Sequence, residues 1–305
     1  MIDLYCGINE TRWNHHPVAP GPLACIAPVY GRTERTRKEN RVSVPEDTKV
    51  LQDSGAFSDG PSSRLTLQDA LKRQIAHAAK WRYAHQVEGV ASYDLLIDEK
   101  WQDGVRYKAR WSESEAQEAI DTTIKAAKYL VQHRYALPYN PALVLSVQGV
   151  TPEQYLACMR RVLWHGDWDK DILGLGGWCI SGKMPRRFMP VFYETMRQII
   201  PLAGQSKVRR VHIWGVLYAP ALGALLWLCD QHEIKLSTDS AGPQLRPCLG
   251  EWGYLGWREP YQQPPVTIRG LERARHVQAT REWLGTLRQT EYYREPPISV
   301  QPYLI

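Results

Sequence analysis

The chain has 305 residues, of which 44% are hydrophobic and 23% are charged, and its formal net charge is +6. This size and apolar content fit a globular protein with a large core, arranged as one large barrel or as two smaller domains. The sequence holds no run of eighteen apolar residues, and the N-terminal stretch MIDLYCGINETRW has no basic start. We therefore expect neither a membrane span nor a signal peptide, and we predict a cytoplasmic location.

The six cysteines are scattered along the chain, without the CxxC or CxC spacing that is typical of zinc sites. We expect reduced, buried thiols, because a disulfide framework is unusual in a cytoplasmic chain of this length. Basic residues are concentrated at 32–41, 183–187 and 207–210. Each of these stretches is either a solvated surface loop or part of a surface that binds a polyanion.

Short apolar segments alternate with longer segments of helical periodicity. The predicted strands cover residues 1–8, 25–30, 49–52, 87–96, 143–147, 172–175, 208–214 and 234–238. The predicted helices cover residues 65–83, 112–134, a segment from 151 onward, 187–200, 219–231 and 270–293. Strands that are apolar throughout and separated by helices are typical of a parallel sheet with helical crossovers.

A closed barrel fits this pattern better than an open doubly wound sheet, because no glycine-rich phosphate loop follows the first strand. We therefore predict an α/β fold, a (β/α)₈ TIM-like barrel. It forms a single domain over residues 1–305, with irregular N-terminal and C-terminal extensions. The motif-bearing core covers residues 45–245, and residues 246–305 form a helical and irregular region.

Polar residues and glycines recur where the predicted strands end. They are Asp53, Asp94, Gln148, Gly176, Gly177, Gly215 and Asp239, with the aromatic residues Phe57 and Trp214 beside them. In a closed barrel these ends converge on the face where barrel enzymes carry out their chemistry. Three carboxylates suit reactions at an anomeric carbon, as a nucleophile, an acid/base and a recogniser of donors. A glycosidase could use the same set, and the two aromatic residues could instead belong to the core.

These strand ends resemble, in the same order, those of the tRNA-guanine transglycosylase superfamily, which handles queuine and archaeosine. The matching segments are DSGAFS at 53–58, SYD at 92–94, VQG at 147–149, LGGWCISG at 175–182, WGV at 214–216 and DSA at 239–241. The first resembles the D-S-G-G-[FY]-Q segment of the family, and the last resembles the D-S-A of its archaeal branch. The six matches are specific jointly.

The resemblance implies a base-exchange reaction. Asp239 would attack C1′ of a guanine nucleoside, expel guanine and hold a covalent glycosyl intermediate. Asp53 would protonate the leaving base and then take a proton from the incoming 7-deazaguanine. Asp94 would accept hydrogen bonds from the N–H edge of the base.

The resemblance also implies which residues would line the base pocket. Gln148 and the backbone at Gly177 would meet the carbonyl side of the base, while Phe57 and Trp214 would stack on its two faces. The remaining substrate-binding positions are Ser54, Gly176 and Gly215.

The sequence departs from the family pattern at the zinc site, since only Cys248 follows Asp239 where a C-x-C-x-x-C set is usual. We therefore expect no metal and no cofactor. We also expect no RNA-binding domain of the archaeal type. A short, basic, zinc-less member looks most like the branch that places 7-deazaguanines in the DNA of phages and bacterial modification islands.

We therefore predict a transglycosylase that replaces guanine in DNA with a 7-deazaguanine such as preQ0. The alternatives are the same exchange on tRNA, a non-catalytic nucleic-acid-binding partner of such an enzyme, and a carbohydrate-active barrel. A homodimer or helper proteins are further candidate partners.

Overall fold

The computed structural model describes residues 2–8, 23–25, 49–56, 64–79, 84–95, 97, 100–102, 105–107, 111–178, 185–240 and 271–298. Within these ranges the strands are β1 (Asp3–Ile8), β2 (Leu23–Cys25), β3 (Val50–Gln52), β4 (Val87–Ala91), β5 (Lys100–Gln102), β6 (Val105–Tyr107), β7 (Ala142–Val147), β8 (Ile172–Leu175), β9 (Arg210–Ile213) and β10 (Lys235–Ser240). The helices are α1 (Leu67–Ala78), α2 (Glu113–Gln132), α3 (Pro152–Leu163), α4 (Pro185–Gln205), α5 (Ala219–Gln231) and α6 (Leu271–Thr286).

Eight of these strands close into a parallel barrel in the order β1, β2, β3, β4, β7, β8, β9, β10 and back to β1. Single helices connect the strands from β3 onward, and the excursion between β4 and β7 also carries the antiparallel β5–β6 hairpin. This confirms the predicted (β/α)₈ barrel. The hairpin was not predicted, and the predicted strand at 25–30 overlaps β2 only at Cys25, residues 26–30 lying outside the described ranges.

The helix starts follow the capping signals in the sequence. The Thr66 hydroxyl accepts a hydrogen bond from the Asp69 backbone at 3.1 Å, which begins α1. Ser112 and Glu115 form a reciprocal capping box at the start of α2. None of the helices in the described part of the chain is long and apolar enough to cross a membrane.

The C-terminal part of the chain packs against α5. The guanidinium of Arg288 donates to both carboxylate oxygens of Asp230, at 2.7 and 2.6 Å, and the Tyr293 hydroxyl donates to the same group at 2.8 Å. Gly223 allows this close approach, because an added Cβ would lie 2.4 Å from the carbonyl oxygen of Tyr292. The predicted helix at 270–293 ends earlier, at Thr286, and a short 3₁₀ turn follows it.

A charged cluster lies at the N-terminal end of the barrel. Glu88 Oε1 lies 3.2 Å from Arg210 Nη1 and 3.8 Å from Lys49 Nζ, and the Tyr5 hydroxyl donates to the other oxygen of Glu88. Arg210 belongs to the basic stretch at 207–210, so part of that stretch is used inside the fold. We assign this cluster a role in stability, because barrel enzymes carry out their chemistry at the C-terminal ends of the strands, which is the opposite end.

Candidate active site

Asp239 lies at the C-terminal end of β10, with its side chain buried at the mouth of the barrel. Its Oδ1 accepts a hydrogen bond of 2.7 Å from the backbone N–H of Gly215, in the turn after β9. The same oxygen lies 3.3 Å from Nε2 of His212. Gly215 reaches this position with a φ of 68°, a conformation that favours glycine. Two neighbouring strands therefore fix one oxygen of this carboxylate.

His212 lies inside the barrel and its side chain is completely buried. Its Nδ1 lies 2.9 Å from Ser237 Oγ, and that hydroxyl is also 3.2 Å from the carbonyl oxygen of Val211. The rings of Tyr5 and Trp214 meet the imidazole edge-on, with centroids 5.7 and 4.3 Å away. The position of the imidazole is therefore fixed by polar contacts of both ring nitrogens and by ring contacts with Tyr5 and Trp214.

Asp53 follows β3 directly, on the same mouth of the barrel as Asp239. Burial and the neighbouring Asp239 carboxylate raise the pKa of Asp53 to about 6. Backbone hydrogen bonds from Gly55 and Ser54 and the charge of Arg73 oppose this increase without cancelling it. A carboxyl group with such a pKa is suited to donate and accept a proton near neutral pH. The two acids predicted as catalytic are thus brought together.

The turn after Asp53 is braced from behind by α1. The Ser54 hydroxyl accepts from the Ala56 backbone at 3.2 Å, and the guanidinium of Arg73 donates to the Ser54 carbonyl. Gly55 has a φ of 78°, and an added Cβ would lie 3.1 Å from Cζ of Arg73. Arg73 also lies over the ring of Tyr93. The small residue at position 55 is therefore required by the protein's own guanidinium.

Asp94 lies beyond the end of β4, close to the glycines that follow β8. A Cβ added at Gly176 would lie 3.7 Å from Asp94 Oδ2, which is an ordinary van der Waals distance, so the carboxylate lies next to this backbone. The Gly176 backbone N–H donates to Val147 at 2.9 Å, and its carbonyl accepts from the Tyr155 hydroxyl at 3.0 Å. Gly177 comes next with a φ of 84°. The structure therefore places Asp94, Gly176 and Gly177 together at this mouth.

Gln148 is completely buried, and protein atoms meet both ends of its amide group. The amide nitrogen donates to the Leu95 carbonyl at 2.6 Å and to the Thr123 hydroxyl at 2.7 Å. The amide oxygen accepts from the Ile97 backbone at 3.3 Å. Gln148 therefore braces the loop that follows Asp94. A contact of Gln148 with a base stays a prediction, and it would require exchange of these bonds.

Trp214 packs inside the barrel against a cluster made of Tyr5, Leu51, Ala91, Ala142, Val144 and Ile172. Its indole nitrogen lies 3.0 Å from the position that a Cβ on Gly174 would take, so Gly174 makes the space for this ring. These contacts agree with the alternative that Trp214 is a core aromatic. Phe57, the other predicted wall of the base pocket, lies outside the described residues.

Sequence reasoning missed two residues of this site, His212 and Arg73. The signal for His212 was present, because it lies two positions before Trp214, and alternate residues of an extended segment point to the same side. The residue that lies beside His212 on β10 can be known only from the strand register, which pairs His212 with Ser237. Arg73 gave no signal of its own, because it lies within a segment that was recognised only by the helical spacing of its apolar residues.

Within the described ranges, no group of three or more histidine, cysteine or acidic side chains is placed to hold a metal ion. Two free cysteines in these ranges, Cys158 and Cys229, are buried, as the sequence predicted for its thiols. Burial raises the pKa of Cys158 to about 12, so this thiol is a poor metal ligand near neutral pH. Cys248 lies outside the described residues, and the absence of zinc remains an expectation.

No family model matches this sequence, and no curated protein matches it. Several solved structures have a similar fold. A Bacteroidetes-affiliated GH5 cellulase is 11% identical with a TM-score of 0.47, over 97% of this chain and 96% of that chain. A D-psicose 3-epimerase from Clostridium cellulolyticum H10 is 11% identical with a TM-score of 0.43, over 93% and 99%.

A trimodular GH5_4 subfamily endoglucanase is 11% identical with a TM-score of 0.45. The match covers 81% of this chain and 54% of the endoglucanase, so this chain spans about half of that protein's length. At these identities the likeness is one of fold alone.

Proposed function

We propose that this protein is a transglycosylase that exchanges guanine for a 7-deazaguanine in DNA, through a covalent bond between Asp239 and the sugar. The observation that supports it is the pairing of two unlike carboxyl groups at the barrel mouth. Asp53 has its pKa raised to about 6, partly by Asp239, whereas Asp239 accepts N–H donors on one oxygen. Carboxyl groups in different environments divide into an acid and a nucleophile.

The first half of the proposed reaction breaks the bond between C1′ and the base nitrogen. A lone pair of the Asp239 carboxylate forms the new bond to C1′, and the electron pair of the broken bond leaves with guanine. Guanine takes the proton of Asp53. The transition state resembles an oxocarbenium ion, which a carboxylate nucleophile stabilises.

The second half restores the enzyme. Asp53, now ionised, takes a proton from the incoming 7-deazaguanine, whose nitrogen attacks C1′ as the ester bond to Asp239 breaks. The electron pair of that bond returns to the carboxylate. In this proposal Asp94, which lies beside Gly176, accepts from the N–H edge of the base. The target nucleotide must leave its stack to reach this mouth.

The choice of DNA follows the sequence resemblance. Of the three basic stretches, the residues at 32–41 and the side chains at 183–187 lie outside the described residues. The stretch at 207–210 precedes β9, so it lies at the end of the barrel opposite the proposed site. In this proposal the stretch at 207–210 therefore does not contact the phosphates beside the flipped base.

The test is exchange of radiolabelled guanine, and incorporation of preQ0, by the purified chain on a DNA duplex and on tRNA. We expect the Asp239→Ala variant to lose activity by about 10⁴-fold or more, since the nucleophile is removed. The Asp239→Asn variant should form no covalent adduct on a denaturing gel. The control is Asp121→Asn, which removes an acid paired with Arg161 on the surface of α2.

Each alternative predicts a different result in the same experiment. Modification of tRNA with unmodified DNA would replace DNA by tRNA as the substrate. Binding to nucleic acid without exchange would indicate a partner subunit. Hydrolysis of saccharides without binding to DNA would indicate a carbohydrate-active barrel. If DNA is the substrate, binding should weaken steeply with salt, because several phosphates must be neutralised.

A further inference from the structure

We infer that His212 is a positioning residue for Asp239, and that it acts on the breakdown of the covalent intermediate more than on its formation. With the backbone N–H of Gly215, it holds Oδ1 and leaves Oδ2 as the oxygen that forms and breaks the glycosyl bond. This inference rests on the proposed function, since it assigns the two oxygens of the same nucleophile.

The geometry separates the two oxygens of Asp239. Both donors among the described residues meet Oδ1, Gly215 N at 2.7 Å and His212 Nε2 at 3.3 Å. An oxygen that accepts two N–H groups is directed into the protein, and its lone pairs are engaged. The attacking oxygen is therefore Oδ2.

The same contacts fix the protonation of the imidazole. An ionised carboxylate only accepts hydrogen bonds, so Nε2 of His212 must carry a proton. Nδ1 faces the Ser237 hydroxyl at 2.9 Å, and this hydroxyl also lies 3.2 Å from the Val211 carbonyl. The hydroxyl donates to Nδ1 when the imidazole is neutral and to Val211 when Nδ1 is protonated. In both states Nε2–H faces Asp239.

The donors affect the two halves of the reaction differently. When Oδ2 bonds to C1′, the carboxylate charge is lost and Oδ1 becomes the carbonyl oxygen of a neutral ester. When that bond breaks, the electron pair returns and the charge is shared with Oδ1. Hydrogen bonds to a charged oxygen are about twice as strong as those to a neutral one, so the two N–H groups stabilise the released carboxylate. They therefore favour breakdown of the adduct and limit its accumulation.

The deciding variants are His212→Phe and His212→Gln. Phenylalanine keeps an aromatic ring between Tyr5 and Trp214 but removes the donor. We expect the adduct of this variant to break down about tenfold to hundredfold more slowly than that of the wild type. This factor corresponds to the loss of one hydrogen bond to a charged group. Glutamine places an amide N–H near the position of Nε2, so His212→Gln should restore most of the breakdown rate.

The experiment forms the adduct from a guanine-containing DNA duplex, or from tRNA if that is the substrate, and removes free guanine. It then follows the loss of adduct on a denaturing gel after addition of preQ0. A larger adduct fraction and slower loss in His212→Phe, with recovery in His212→Gln, support the inference. An unchanged rate of loss, or equal slowing of adduct formation and loss, overturns it.

The absence of adduct in the wild-type protein on both polymers contradicts the proposed function itself, and that result is separate from the comparison of variants.

The tautomer of His212 gives a second measurement that needs no activity and no variant. In ¹⁵N-labelled wild-type protein at neutral pH, we expect the NMR signals of His212 to show a proton on Nε2. A proton on Nδ1 with bare Nε2 overturns the inference even where His212→Phe fails to fold.

Discussion

At the N-terminal end of the barrel, the carboxylate of Glu88 lies 3.2 Å from Arg210 and 3.8 Å from Lys49. At the C-terminal end, Asp53 accepts hydrogen bonds from the backbone of Ser54 and Gly55, and Asp239 accepts one from the backbone of Gly215. At the first end Glu88 lies beside two basic side chains, although burial and the charge of Glu88 together raise the pKa of Asp3. At the second end the charge of one acid raises the pKa of the other.

This difference indicates where the fold is built for stability and where it is built for reaction. At the N-terminal end, the nearby Lys49 and Lys235 oppose the increase that burial and the charge of Glu88 cause in the pKa of Asp3. Basic side chains therefore accompany the acids that join β1, β3, β4 and β9. At the C-terminal end the repulsion costs free energy of folding. Groups held in such an unfavourable state are the ones that react, because a change of protonation or a new bond relieves the repulsion.

The largest expected effect is on the rate of the first half-reaction. In the proposed reaction, Asp53→Asn removes the proton that the leaving guanine takes, so we expect a loss of about 10²- to 10⁴-fold in single-turnover release of guanine. Glu88→Gln alters a carboxylate of similar burial at the far end, and its rate should stay close to that of the wild type. Equal losses in the two variants would contradict the assignment of the two ends.

The next effect is a change in stability of opposite sign at the two ends. Since the pKa of Asp53 is about 6 in the folded protein against an ordinary value of 3.8, the folded state binds this proton more tightly than the unfolded chain does. Stability is therefore lost as the pH rises from about 4 to about 6. Asp53→Asn should stabilise the protein by about 1–3 kcal/mol at pH 8, and the gain should shrink towards pH 4.

Glu88→Gln should instead destabilise the protein, because it leaves Arg210 and Lys49 without their anionic partner. Glu88 is partly exposed, so we expect a loss of about 1–2 kcal/mol rather than the larger cost of a fully buried pair. Urea unfolding of both variants at pH 8 measures the two changes. A loss of stability in Asp53→Asn would contradict the repulsion between Asp53 and Asp239.

A smaller and more direct effect is the pKa of Asp53 itself. We expect a carboxyl carbon titration by NMR to give a value of about 6 in the wild type. The value should be lower in Asp239→Asn, since the second-largest cause of the increase is removed while burial remains. The control Asp121→Asn removes a distant acid and should leave the titration unchanged. No difference between the two variants would show that burial alone raises this pKa.

The sequence predicted the barrel and the meeting of Asp53 with Asp239 for one physical reason. Parallel strands that are apolar throughout must be covered on both sides, and their C-terminal ends then share one mouth. The polar residue after each strand therefore identifies the mouth without knowledge of any contact. The helix caps at Thr66 and Ser112 are equally local, because each joins groups three residues apart in the sequence.

Other features depended on contacts between distant segments. The contact of His212 with Asp239 follows from the register of β9 against β10, which pairs His212 with Ser237. Gln148 follows its strand just as the acids do, yet its amide is used by Leu95 and Thr123. A local pattern gives the residue at a strand end but not the direction of its side chain.

The last comparison concerns two glycines, Gly55 at the mouth that holds Asp53 and Gly285 on α6. A Cβ at Gly55 would lie 3.1 Å from Cζ of Arg73, on a backbone with a φ of 78°, whereas nothing lies within 4 Å of a Cβ at Gly285. We expect Gly55→Ala to destabilise by about 1–2 kcal/mol and to lower activity, because Asp53 is displaced with the turn. Gly285→Ala should stabilise by a few tenths to about 1 kcal/mol through helix propensity. Urea unfolding and guanine exchange measure both, and a neutral Gly55→Ala would mean that Arg73 can move away without disturbing the acid.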